Sequence, residues 1–329
     1  MFRKRKGAFA VAVLTATALS VAACSGGGRE NTDDSSGGSG AGDNSGYTIA
    51  MITHETPGDS FWDKIKAGAQ QAAKNEGIDL KYSNDPEASK QAVLIQNAID
   101  SKVDGIATTL VTPDALAGAV KAAEDAGIPL VGFNSGIEQY KELGALMYFG
   151  SDETLAGTTA GQRIGEAGAK HPLCVIQQTG SVALEARCAG VKSSVPGTEN
   201  IQVNGADDAA VTSTLQAKLS QDPSIDWIVT LGAPQALDAI KSIEQSGSSA
   251  KLVTFDLNQD AAQAIKDGNI EFSIDQQPYV QGFMAVTSLY LNLKNGNDIG
   301  GGQAVLTGPS FVDSENIDTI LPYTKNNTR

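Results

Sequence analysis

"SKVDGIATTLVTPDALAGAVKAAEDAGIPLVGFNS", Ser101 to Ser135, decides the fold. It opens on a short apolar and β-branched run, Gly105–Leu110, and closes on a second, Ile128–Phe133. Between them the apolar residues recur at helical spacing over Asp114–Ala126. Pro113 suits the first turn of that helix, where its missing N–H is not needed. Gly127 sits where the helix must stop. A strand, a helix and a second strand at this spacing form a crossover unit, and its two strands run parallel.

The same alternation extends in both directions. Upstream, strands are predicted at Thr48–Thr53 and Ile78–Ser83, with helices at Phe61–Glu76 and Glu87–Ser101; Leu146–Phe149 adds a strand downstream. The second half repeats the pattern. Its strands are predicted at Leu173–Gln178, Ile201–Asn204, Trp227–Leu231, Leu252–Phe255 and Glu271–Ile274. Its helices fall near Glu153–Ala169, Ala183–Val195, Ala209–Ser220, Pro234–Ser246 and Gln259–Lys266. A last helix near Tyr279–Lys294 and an extended stretch near Gln303–Val312 follow. Two such series mean two α/β lobes, each a doubly wound parallel sheet covered on both faces.

The first residues carry a targeting signal. Arg3, Lys4, Arg5 and Lys6 precede an uncharged run from Gly7 to Ala23, shorter than the roughly 20 apolar residues of a bilayer span. Residues 1–23 are therefore expected to be a cleaved signal peptide. Val21-Ala22-Ala23-Cys24 resembles a bacterial lipoprotein box, in which Cys24 is lipidated; an ordinary signal peptide containing a Cys is the alternative. Residues 24–46 are rich in Gly and Ser and read as a flexible tether. Two acyl chains suffice for stable anchoring where one is marginal. The expected location is the outer face of the cytoplasmic membrane.

Removing the four basic residues of the leader from the 24 in the chain leaves 20 against 38 acidic residues, a net charge of −18. That excludes nucleic acid as a partner, because such binding draws its affinity from Lys and Arg. In an exported chain Cys174 and Cys188 tend to oxidise to a disulfide, with two buried thiols as the alternative. No phosphate loop, dinucleotide fingerprint, nucleophile elbow or metal-ligand set is found. No catalytic residue, cofactor or metal is therefore assigned.

In open parallel sheets ligands bind beyond the C-terminal ends of the strands. Those ends carry carboxylates, amides, one Arg and the aromatic pair Phe61–Trp62. Carboxylates accept from hydroxyls, Arg donates in a fork, and amides do both, which suits a neutral ligand with many hydroxyls. Asp59 is also placed to cap the first helix, and one aromatic of the pair, Phe61, is expected in the core and Trp62 in the cleft.

From Tyr47 to about Ile320 the chain resembles the type I periplasmic binding proteins, the ribose and glucose/galactose-binding receptors of sugar transport. "YTIAMITHETPGDSFWDKIKAGAQQAAKNEGIDL" is similar to that family's opening strand, ligand turn and first helix, and the quoted Ser101–Ser135 segment to its third and fourth strands. "KLVTFDLNQDAAQAIKDGNIEFSIDQQPYVQGFMAV" resembles the approach to its hinge and last helix.

The resemblance implies a hinge of three crossings, near Gly150–Ser151, Gln277–Pro278 and Gly308–Pro309. The lobes would then be residues 47–150 with 278–308 and residues 151–277 with 309–322, leaving 323–329 as a tail. It implies a ligand set of Asp59, Phe61, Trp62, Asn134, Arg187, Asp256 and Gln276. His54 and Asp207 lie nearby without a family counterpart. Two positions depart from the family pattern: its second-lobe aromatic falls near Asp207 and Asp208, and an Asn falls on Gly232. A polyol or small monosaccharide fits such a changed wall. The implied function is a monomeric receptor that closes on a monosaccharide or sugar alcohol and delivers it to an ABC transporter permease. A sugar-sensing co-receptor for a membrane kinase or chemoreceptor is the alternative. Enzymes and the repressors of this fold, which need an N-terminal helix-turn-helix, are set aside.

Overall fold

The structure is a computed structural model that describes residues 45–56 and 58–329. The signal peptide, Cys24 and nearly all of the expected tether lie outside the described residues.

The first lobe alternates β1 (Thr48–Thr53), α1 (Phe61–Glu76), β2 (Asp79–Asn84), α2 (Ala88–Asp100), β3 (Gly105–Thr109), α3 (Pro113–Asp125), β4 (Leu130–Phe133), α4 (Tyr140–Leu143) and β5 (Met147–Ser151). The second begins with α5 (Glu153–Glu166), β6 (Pro172–Ile176), α6 (Val182–Ser194), β7 (Glu199–Gln202) and α7 (Asp208–Gln221). It continues with β8 (Trp227–Thr230), α8 (Ala233–Ser246), β9 (Lys251–Phe255), α9 (Gln259–Lys266) and β10 (Phe272–Asp275). Then come α10 (Pro278–Asn295), β11 (Val305–Gly308), β12 (Ser310–Asp313) and α11 (Ile317–Thr324). The two regular elements beyond those expected are α4, a single turn, and α11, which carries Pro322 inside it.

Among the described residues the strands form two six-stranded sheets, ordered β11-β5-β4-β3-β1-β2 and β12-β10-β9-β8-β6-β7. The orders correspond strand for strand, so β1 matches β6, β3 matches β8 and β4 matches β9. All pairings are parallel except β10 with β12. Central strands such as β3, β4, β6 and β8 are buried at every position, because helices cover both faces. The edge strands β2 and β7 are partly exposed. Each lobe has an apolar cluster on each face of its sheet.

After its fifth strand each sheet sends the chain to the other lobe. There α5 packs against α6, and α10 returns to pack against α1. Both pairs need glycine for the close approach. A Cβ on Gly157 would lie 2.1 Å from the Arg187 carbonyl oxygen, and one on Gly282 would lie 2.1 Å from that of Ile65. Cys174 on β6 and Cys188 on α6 are joined by a disulfide, tying the first strand of the second lobe to its helix.

Candidate functional site

The C-terminal ends of the two sheets face one cavity of about 220 Å³. That is small beside the roughly 300–1,000 Å³ of sites for drug-sized ligands, and it suits a single ring. The first lobe contributes His54, Asp59, Phe61, Trp62 and Asn134; the second contributes Gln177, Arg187, Asp208, Gln235 and Asp256, and Gln276 stands at the crossing.

Asn134 follows β4 and Asp256 follows β9, the corresponding strand of the other lobe. Both adopt left-handed backbone conformations, with φ of 64° and 63°. Non-glycine residues held there cost on the order of 1 kcal/mol or more, and such strain concentrates at ligand sites. Gln276 joins the pair: its Oε1 accepts from Asn134 Nδ2 at 3.1 Å, and its Nε2 donates to Asp256 Oδ1 at 2.8 Å. Gln281, the first-turn residue of α10 behind it, donates to the same Oε1 at 3.0 Å.

Arg187 is buried and already paired. Its Nε lies 2.6 Å and its NH2 3.1 Å from the two oxygens of Glu153, and its NH1 donates to the Leu231 carbonyl at 3.0 Å. Three of its five N–H groups are so committed, leaving two for a ligand. Its guanidinium stacks 4.6 Å from the Phe255 ring centre, and NH1 is 3.9 Å from Asp256 Oδ2. The ion pair with Glu153 cancels its charge, so the site offers no surplus cation to an anionic ligand.

His54 Nδ1 is 2.8 Å from Thr109 Oγ1, which itself accepts from Gln91 Nε2 at 3.1 Å. That network ties the imidazole to the end of β3. Burial lowers the imidazole pKa to about 3, so His54 is neutral. The rings of His54 and Trp62 form a T-shaped pair with centres 4.7 Å apart, and those of Trp62 and Phe61 another at 5.1 Å.

Burial raises the carboxyl of Asp59, partly offset by the Phe61 N–H it accepts at 3.0 Å and by Lys64. Burial likewise raises Asp256, to about 7, against the pull of Arg187 and Gln276.

The structure brings Asp59, Phe61, Trp62, Asn134, Arg187, Asp256, Gln276 and His54 to this cavity. Asp207 is a correction. It is exposed, caps α7 through an Oδ1 that accepts from Ala210 N at 3.0 Å, and does not line the cavity; Asp208, one residue on, does. The division of the aromatics is also corrected. Both Phe61 and Trp62 line the cavity while packing into the first-lobe core.

Gln177, a strand-end amide outside the implied ligand set, and Gln235, which sequence reasoning missed, also line the cavity. A Cβ on Gly232 would lie 2.6 Å from Gln235 Oε1 and 3.2 Å from Gln177 Nε2. The missing side chain at Gly232 thus leaves room for two amides. Gln177 Oε1 is buried there without a hydrogen-bond partner. Its place at the end of β6 was the available signal. Among the described lining residues the second lobe supplies no aromatic ring; its apolar wall is aliphatic, with Leu184, Leu231 and Leu257.

A family model described as a periplasmic binding protein domain matches residues 49–298. A solved carbohydrate transporter from Acidothermus cellulolyticus 11B, in complex with myo-inositol, is 54% identical, covers 86% of this chain and 99% of that one, and superposes with a TM-score of 0.85. An ABC transporter solute-binding protein from Burkholderia graminis C4D1M, in complex with D-arabinose, is 25% identical over 84% of this chain and 98% of that one, at a TM-score of 0.75. The xylose/arabinose-binding protein XylF of Sulfolobus acidocaldarius is 27% identical, covering 84% of this chain and 73% of that protein.

Proposed function

The chain belongs to the periplasmic binding protein domain family, and from that premise we propose that it is an extracytoplasmic receptor that captures a neutral polyhydroxy ring and delivers it to an ABC importer. It binds and does not turn over its ligand. The carrying observation is the 220 Å³ cavity in which carboxylates and amides of both lobes meet one aromatic wall. Ligand contacts made from both lobes at once stabilise the closed arrangement over the open one.

The ligand that fits best is a cyclitol of the myo-inositol type. The relative with 54% identity holds myo-inositol. The site's chemistry supports the same reading. A cyclitol has hydroxyls all round its rim and no ring oxygen, so it needs acceptors on every side. Asp59, Asp208, Asp256 and the unpartnered Gln177 Oε1 supply them from both lobes. Arg187 donates in return through the two N–H groups that Glu153 and Leu231 leave uncommitted. Trp62 offers its face to the ring's C–H groups.

Calorimetric titration with myo-inositol, ribose, xylose, arabinose, glucose and a panel of amino acids tests the reading. Binding of myo-inositol in preference to the aldoses is expected. Binding of amino acids alone would overturn the polyhydroxy-ligand reading.

No helix among the described residues is long and apolar enough to cross a membrane. Attachment through a lipid on Cys24, carried by the Val21–Cys24 motif and followed by the Gly/Ser-rich tether, completes the proposal. Cys24→Ala should release the protein from cell membranes into the medium or periplasm. The receptor acts as a monomer, and its lobes hinge where β5 runs into α5, β10 into α10, and β11 into β12.

A further inference from the structure

We infer that Arg329 is a positioning residue of the hinge, acting on the ligand site through Asp275 and Gln277. The inference rests on the two-lobe closure proposed above and adds a residue that touches neither the cavity nor either core.

The tail after α11 is folded back by one carbonyl. Tyr323 O accepts from Asn326 N at 3.2 Å, from Thr328 N at 3.2 Å and from Thr328 Oγ1 at 3.1 Å. Asn327 takes a left-handed conformation, with φ of 54°, within that turn. This returns Arg329 from the second lobe to the crossing between β10 and α10. There its Nε lies 2.7 Å from Asp275 Oδ2, a charge contact not aligned as a hydrogen bond. Its NH1 donates to Gln277 Oε1 at 3.1 Å.

Asp275 is fully buried. Gln277, two residues on, is the crossing residue and sits at φ 57°, where a side chain is strained. Its conformation is held from several directions. The backbone N–H donates to Asp275 Oδ1 at 2.8 Å, and Nε2 donates to the Thr307 carbonyl on β11 at 2.7 Å. The amide therefore ties one crossing to the next, and Arg329 fixes its other end. Thr307 Oγ1 in turn donates to the Gln276 carbonyl at 2.7 Å. Gln276 is the residue that bonds Asn134 and Asp256 inside the cavity.

Lobe closure turns on backbone rotations at a few crossing residues. A clamp that holds Gln277 in one strained conformation favours the lobe arrangement that requires it. Arg329 also supplies a cation to a carboxylate that is cut off from water. Without it Gln277 loses one of its constraints, Asp275 loses its nearest positive charge, and other lobe arrangements gain population.

The test uses the mature chain with spin labels at Lys74→Cys on α1 and Lys192→Cys on α6, exposed positions on corresponding helices of the two lobes. Distance distributions are recorded without ligand and with myo-inositol, in wild-type, Arg329→Ala and Arg329→Lys backgrounds. Arg329→Ala should change the ligand-free distribution and weaken the affinity for myo-inositol about 5- to 20-fold. Arg329→Lys, which keeps the charge near Asp275, should recover part of both. A ligand-free distribution and an affinity unchanged in Arg329→Ala overturn the inference. The ligand-free arm does not depend on what the ligand is. If wild-type distances fail to move with any polyol or sugar, the receptor reading fails instead, and the two failures are distinguishable.

Discussion

Asn134 donates to Gln276 across the lobes at 3.1 Å, joining the end of β4 to the crossing between β10 and α10. Gln276 passes the bond on to Asp256, the counterpart of Asn134 in the other sheet. One amide thus reads both strand ends. Asn134→Ala should cost little in folding, because a left-handed φ of 64° tolerates Asn better than Ala by only about 1 kcal/mol. It should cost more in binding, about 10- to 100-fold, because Gln276 loses the bond that fixes it inside the cavity. Calorimetry against thermal melting separates the two effects; a melting point that collapses with affinity intact would contradict the assignment.

Two titratable groups of the cavity, His54 and Asp256, pull stability in opposite directions with pH. Burial lowers His54 to about 3 from its ordinary 6.5, so the unfolded chain binds more protons between those values. The stability from neutral His54 is present above about 6.5 and is lost as pH falls towards 3. Burial raises Asp256 from 3.8 to about 7, so here the folded chain binds more protons. That contribution is present below 3.8 and is lost as pH rises through 7. In the ligand-free protein Asp256→Asn should therefore remove a loss of stability on going from pH 5 to pH 8, and His54→Gln should remove a loss on going from pH 6 to pH 4. Ligand hydroxyls donate to the ionised carboxylate, so affinity should rise about tenfold from pH 6 to pH 8. Flat profiles in wild type and both variants would contradict the site electrostatics.

Gly232 should be intolerant for binding and tolerant for folding. Its added methyl would meet Gln235 Oε1 at 2.6 Å and Gln177 Nε2 at 3.2 Å, both at the ends of flexible side chains. Gly232→Ala should push these amides aside, weakening affinity several-fold while leaving the melting point within a few degrees. Gln177→Ala removes the unpartnered acceptor itself. It should leave the ligand-free protein unharmed and cost about 1–3 kcal/mol in binding. Equal affinities for wild type and Gln177→Ala would remove the second-lobe amides from the site.

Much of this was legible in the chain because the signals were local. Alternation of short apolar runs with helical spacing gave β1–β10, α1–α3 and α5–α10, while β11 and β12 read as one extended stretch; α1 and α9 begin and end where predicted. Glycine at φ 66° after α1 and 70° after α3 explains why those stops read clearly. Site residues at strand ends were legible for the same reason. The failures were questions of direction or of distance along the chain. Asp207 and Asp208 are neighbours, and only the capping geometry of α7 decides which faces the cavity. Gln235 lies on a helix and enters the site only because Gly232 has no side chain. Glu153 and Arg187 are 34 residues apart, and Arg329 meets Gln277 at a separation of 52, so no local pattern announces either contact.

Glu153 changes what truncating Arg187 should do. The guanidinium binds Glu153 through two contacts, and both side chains are about 4% exposed. Arg187→Ala removes a ligand donor, and it also strands a buried carboxylate whose pKa burial already raises. Breaking one partner of such a pair costs about 3–5 kcal/mol, whereas replacing both is often close to neutral. Arg187→Ala should therefore lose ligand binding and melt well below wild type. Arg187→Met with Glu153→Leu should regain most of the stability and still fail to bind. Arg187→Lys keeps a charge but not the fork that serves Glu153, Leu231 and the cavity together, so it should bind at least tenfold more weakly. If the double variant binds as wild type does, Arg187 is a strut of the second lobe and not a ligand contact; if Arg187→Ala melts as wild type does, the pair with Glu153 contributes nothing to the fold.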